Sequence, residues 1–138
     1  MATAIGIDIG GTHLRGARVD AAGTILSTAR ARSAPDPNVV LERIEGLIAE
    51  LADADVAAIG IGVPGRVDFP TRRVLSGGYV DLSRVPLASH IEQRFGRPVV
   101  IDNDCAMALV AEAALGAARE ARSVAMLTIG TGIGGAVM

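Results

Sequence analysis

An α/β fold, a mixed sheet flanked by helices, follows from three features of the 138-residue sequence. The first third reads as strands separated by short turns. A run of apolar residues at helical spacing then leads directly into a continuous apolar segment, the order of a parallel crossover. Half of the residues are apolar but only 2% are aromatic, so the core must be built mainly from Ala, Val, Ile and Leu. A chain of this size buries roughly two-thirds of its unfolded surface in one core, without help from disulfides or a structural metal. Two complete lobes will not fit.

The first strands are Thr3 to Ile9, Leu14 to Asp20 and Thr24 to Arg32, divided by Gly10-Gly11-Thr12-His13 and by Ala21-Ala22-Gly23. Separators this short make antiparallel neighbours. After a Pro-containing stretch, Val40, Leu41, Ile44, Leu47, Ile48 and Leu51 recur at helical spacing with Glu42, Arg43, Glu45 and Glu50 between them, predicting an amphipathic helix over one sheet face. Val56 to Val63 is a nearly continuous apolar run ending at Pro64-Gly65, the pattern of a strand buried on both faces. A polar stretch with two short strands precedes a helix near Pro86 to Phe95 and a buried strand from Pro98 to Ile101. Asn103 or Asp104 caps an Ala-rich helix reaching about Ala118. Ser123 to Ile129 and Ile133 to Val137 form two final strands across Gly130-Thr131-Gly132.

Several function classes are excluded early. The formal charge is -2, and the thirteen basic residues are all Arg and dispersed, leaving no footprint for nucleic acid or a membrane surface. Cys105 stands alone, so no intramolecular disulfide is possible and zinc would lack soft ligands; a reducing, cytoplasmic setting is expected. No basic segment precedes an apolar one at the N-terminus, and the longest uncharged stretch, Ser123 to Met138, is interrupted by glycines. Neither a signal peptide nor a transmembrane helix is predicted.

Candidate chemistry gathers at four places. At the first turn, Gly10 and Gly11 let backbone N–H groups approach an anion, Thr12 adds a hydroxyl, and Asp8 stands at the strand end beside them. An acid next to a phosphate-binding turn calls for a divalent cation between them, so the pairing points to a metal-bound nucleotide with Asp8 facing the metal. The chain has no Lys and a strand follows the turn, which excludes Walker A and dinucleotide-binding readings. Gly130-Thr131-Gly132 with Gly134 and Gly135 echoes that first strand-and-turn unit, and two such hairpins can grip one polyphosphate from opposite sides. Asp102-Asn103-Asp104 lies at the carboxyl end of a buried strand, where open α/β sheets bind ligands. One carboxylate there is placed to accept a proton from an attacking hydroxyl that Asn103 orients, although a plain helix cap accounts for the same residues. Pro64-Gly65 ends a buried strand and would admit a sugar ring close to the backbone. His13 and His90 have no partners for a triad or metal cluster and read as surface residues; Cys105 reads as a small core residue.

In order, Ile5-Gly-Ile-Asp-Ile-Gly-Gly-Thr12, Gly60-Ile-Gly-Val-Pro-Gly65, Pro98-Val-Val-Ile-Asp-Asn-Asp104 and Leu127-Thr-Ile-Gly-Thr-Gly-Ile-Gly-Gly-Ala136 resemble the ROK family of sugar kinases and sugar-responsive repressors. The resemblance covers nearly the whole chain. It implies a ribonuclease H-like domain of the actin-like ATPase superfamily over residues 1–121, with 122–138 beginning a second domain whose remainder, or a second chain, would complete the site. It implies ATP and magnesium as cofactors and phosphorylation of a hexose at its 6-hydroxyl, the alternatives being a sugar-responsive regulator or an inactive sugar-binding fragment. Asp104 then resembles the general base, and Gly65, Asn103 and Glu112 resemble sugar contacts. Gly10, Gly11 and Thr12 match the first phosphate motif and Thr131, Gly132 and Gly134 the second, with Asp8 resembling the acid toward magnesium. Two positions depart from the family pattern: Ala106 stands where Asn is usual, and Ser76-Gly77-Gly78-Tyr79 to Leu82 stands where an Asn- and Trp-containing segment is usual. The apolar terminal hairpin, with an unpaired edge, predicts self-association into a homo-oligomer.

Overall fold

The structure, a computed structural model, describes residues 1–138. Its elements in chain order are β1 (Thr3–Ile9), β2 (His13–Asp20), β3 (Ile25–Arg32), α1 (Pro37–Leu51), β4 (Val56–Val63), β5 (Arg66–Asp68), β6 (Arg73–Ser76), α2 (Leu87–Phe95), β7 (Val99–Asn103), α3 (Asp104–Leu115), β8 (Ala125–Ile129) and β9 (Ile133–Val137). Five strands form one mixed sheet in the order β3-β2-β1-β4-β7. β1 pairs antiparallel with β2 and parallel with β4, so the sheet changes direction at its centre. This is the α/β arrangement the sequence predicts, and it is the fold of the actin-like ATPases.

The two faces of the sheet are covered differently. Ile5, Ile7 and Ile9 of β1 and Ile59 and Ile61 of β4 are buried with Val40, Ile44, Leu47 and Ile48 of α1 and Ile91 of α2. α1 begins where Asp36 accepts the Asn38 N–H at 2.8 Å and Pro37 occupies the first turn, where its missing N–H costs no helix bond. A hydrogen bond between His90 and Glu45 joins α2 to α1. His90, read from sequence as a surface residue, is therefore a partly buried tie between helices. On the other face, α3 lies over the glycine side of β4: the space beside Gly60 is 3.8 Å from Met107 Cε.

Two boundaries differ from the sequence expectation. β7 continues past Ile101, because Asp102 and Asn103 stay in register with Gly62 and Val63 of β4. α3 ends at Leu115, short of Ala118, because Gly116 follows and the Glu112 carboxylate and carbonyl accept the N–H groups of Ala117 and Ala118. β8 and β9 form a separate two-stranded sheet. One face of that hairpin rests on α3 through a 3.1 Å contact between Thr128 Oγ1 and Cys105 Sγ. The other face carries Leu127, Ile129, Ile133 and Val137, all at least 77% exposed. No helix is long and apolar enough to cross a membrane.

Candidate functional site

The strand ends and both glycine-rich turns open into one cleft of about 1400 Å³. Of the residues singled out from sequence, Asp8, Gly10, Gly11, Gly65, Asn103, Asp104, Thr131, Gly132 and Gly134 line it. Thr12 and Glu112 do not. The Thr12 carbonyl accepts the Ser33 N–H at 2.9 Å, and Glu112 is exposed and turned to the end of α3.

The two turns meet across the cleft. A methyl group placed on Gly11 would come 3.3 Å from Thr131 Oγ1, so the tip of the first hairpin already touches that of the second. Their internal geometry differs: Gly10 N–H donates to the His13 carbonyl in a turn closed by Ile9 and Leu14, whereas Gly130 N–H donates to the Gly132 carbonyl in a turn closed by Ile129 and Ile133.

At the head of α3, Asn103 performs two tasks. Its side-chain oxygen caps the helix, accepting the N–H groups of Cys105 at 2.9 Å and Ala106 at 3.3 Å, while its amide nitrogen donates to the Gly65 carbonyl at 2.6 Å. The capping role and the site role thus belong to the same residue, and the β4–β5 turn is tied to the helix start. Gly65 has φ of 96°, and the space a side chain would need is filled by the Ser76 carbonyl. Its glycine is required by the fold itself, a tighter reason than the sugar access expected from sequence.

Asp104 is the first residue of α3, where the helix dipole favours a negative charge. Burial, and then the Asp104 charge, push the Asp8 carboxyl above its ordinary value, and Arg15 opposes them. Two carboxylates therefore face one another beside a pair of turns rich in backbone donors. Such a set suits a hard divalent cation shared with phosphate oxygens.

Tyr79 is a site residue that the sequence reading passed over. Its hydroxyl donates to the Ile9 carbonyl at 2.8 Å, and its ring lies 3.4 Å from the side-chain position of Gly11. Burial, together with the charges of Asp104 and Asp8, pushes the phenol up to about 12, so it stays a neutral donor. The signal was present in composition, since Tyr79 is the only Tyr of a chain without Trp and follows two glycines.

Comparison with known proteins places this geometry in context. The chain is 33% identical over its whole length to a glucokinase of Streptomyces coelicolor, covering 44% of that protein. It is 36% identical to a beta-glucoside kinase of Listeria monocytogenes over 94% of the chain and 44% of the relative. It therefore spans less than half the length of these relatives. In structure it resembles a ROK family glucokinase from Streptomyces griseus, solved in complex with glucose and AMPPNP, with a TM-score of 0.93 and 37% identity over 99% of this chain and 44% of that one. The sequence pattern described as the ROK family matches residues 4–138, and with the strand ends, turns and helix cap arranged as above, the chain belongs to the ROK family.

Proposed function

We propose that this chain forms the lobe of an ATP-dependent hexose kinase that holds the phosphoryl donor in its two glycine-rich turns and the acceptor sugar at the β4–β5 turn and the head of α3. Residues 122–138 then begin the second domain, and the length that relatives possess beyond this chain supplies the remaining walls. The observation that carries the reading is the convergence of Gly10-Gly11, Thr131-Gly132, Asp8 and Asp104 on one cleft. The kinase names of the relatives favour it over a regulator.

Asp104 accepts the proton of the hexose 6-hydroxyl as that oxygen attacks the γ-phosphorus in line. The new O–P bond forms as the bond to the β-phosphate oxygen breaks, and ADP leaves with that electron pair. Gly65 and Asn103 orient the sugar through backbone and amide groups, and positioning supplies most of what phosphoryl transfer needs from protein. Glu112 lies too near the end of α3 to join them without movement of that segment. Asp8 would hold magnesium, which would neutralise charge on the donor phosphates. The backbone N–H groups of the turns hold those phosphates where no side chain obstructs them.

The test is ATP-dependent phosphorylation of a hexose panel by the chain extended to the length of its relatives, beside its Asp104→Asn variant. Loss of a base of this kind lowers turnover by about 10²–10⁴-fold. The fold should be spared, as far-ultraviolet circular dichroism would show. Near-normal turnover in the variant would remove Asp104 from the reaction.

A further inference from the structure

On the cleft side of the sheet, Asp8, Arg15 and Arg30 are register partners on three adjacent strands, β1, β2 and β3. Arg15 and Arg30 both line the cleft that contains the glycine-rich turns. Like charges directly opposite each other weaken a sheet, so an Arg–Arg pair is a local choice that stability does not explain. No carboxylate forms an ion pair with Arg15, Arg30 or Arg32, while six other charged side chains of the chain do pair, such as Arg18 with Asp53 and Arg72 with Glu92. Arg30 instead sits 2.9 Å from Nε2 of His13, whose own cross-strand partner is Arg32.

The sheet order decides what such a row faces. Gly65, Asn103 and Asp104 belong to the β4–β7 side, the two turns lie at the tip of β1 and β2, and the arginines lie beyond them on the β2–β3 side. A ligand on the arginine row is therefore a continuation of the donor, on the side away from the acceptor. Guanidinium groups are suited to it, because their fork of donors matches phosphate oxygens.

We propose that Arg15 and Arg30 form a second phosphate subsite, which takes the distal part of a linear polyphosphate chain whose reacting end lies in the glycine-rich turns. The ligand class is an extended phosphoanhydride, longer than the triphosphate the turns accommodate. This rests on the donor assignment proposed above and adds a length preference to it.

The test measures binding of ATP and of long-chain inorganic polyphosphate, each with magnesium, to this chain by calorimetry, for the native sequence and for Arg15→Gln/Arg30→Gln. Polyphosphate affinity should fall about tenfold or more in the variant, the consequence of losing charge-assisted contacts, with ATP affinity changed less than about twofold. The dependence of polyphosphate binding on salt should weaken in parallel. Melting temperature should hold or rise, since the like-charge pair is gone. The Arg15→Lys/Arg30→Lys variant, which keeps the charge, should bind polyphosphate with intermediate affinity and guards against misfolding of the first. Equal losses for ATP and polyphosphate, or unchanged polyphosphate binding in the Gln variant, would overturn the subsite. Failure of polyphosphate alone to bind the native chain overturns it while leaving the donor assignment standing, and failure of both ligands overturns both.

Discussion

The sheet-borne turn at Gly10-Gly11 and the hairpin-borne turn at Gly130–Gly132 look alike in sequence, yet they rest on very different foundations. The first is rooted in strands whose inner residues, Ile5, Ile7, Ile9 and Leu14, are 3% exposed or less, and Tyr79 ties its base to the β6–α2 loop. The second stands on a two-stranded sheet with one contact face on α3 and an outer apolar face in the open, Ile129 being 85% exposed. Similar glycine spacing thus specifies similar turns, while the stiffness of each turn is set by what its strands bury. Two strands alone are marginal, and a third layer is what gives a hairpin independent stability.

The contrast is most easily broken by truncating one apolar side chain in each region. Ile61→Ala removes a fully buried side chain from the main sheet and should cost about 2–5 kcal/mol in denaturant unfolding. Ile129→Ala on the hairpin should stay within about 0.5 kcal/mol. Equal losses would mean the hairpin is as well founded as the sheet.

A smaller effect isolates the link between the two. Gly134 lies against Cys105 Sγ, and 2.7 Å separates its side-chain position from Thr128 Oγ1. Gly134→Ala should therefore cost about 1–3 kcal/mol by overpacking. Hydrogen exchange should show the loss confined to β8 and β9, with β1 and β4 protected as before. Exchange that accelerates evenly across all strands would show that the hairpin and sheet open as one unit.

The smallest effect concerns Asp8. Its carboxyl is raised in the folded chain, so the native state binds that proton more tightly than the unfolded chain does. Stability from this group is present below the ordinary carboxyl range and declines as pH rises through the folded value. Asp8→Asn should remove the decline, raising the melting temperature at neutral pH and flattening its dependence across mild acid. A melting temperature that drops in the variant at neutral pH would contradict the inferred crowding of Asp8 and Asp104.

Most of the fold was legible because each element carries its own periodicity and punctuation. The helix at Pro37–Leu51 announces itself by apolar spacing and its Asp-Pro start, and Val56–Val63 by its unbroken apolar run. The end of α3 was less legible, since Ala117 and Ala118 are good helix formers and only the competition of the Glu112 carboxylate for their N–H groups stops the helix. Among site residues, glycines and acids at strand ends could be picked out by position. Tyr79 could not, because its partner Ile9 lies 70 residues away in sequence.

By itself the sequence determined the element order, the mixed sheet, the two glycine-rich turns and the acid after β7, since these follow from local periodicity and turn chemistry. The tertiary structure alone decided that the two turns touch, that Asn103 caps α3 while holding Gly65, that Asp8 and Asp104 share one field, and that Arg15 and Arg30 stand in line with Asp8. Those are relations between distant segments, fixed by strand order and register, and no local pattern encodes a distance across the sheet.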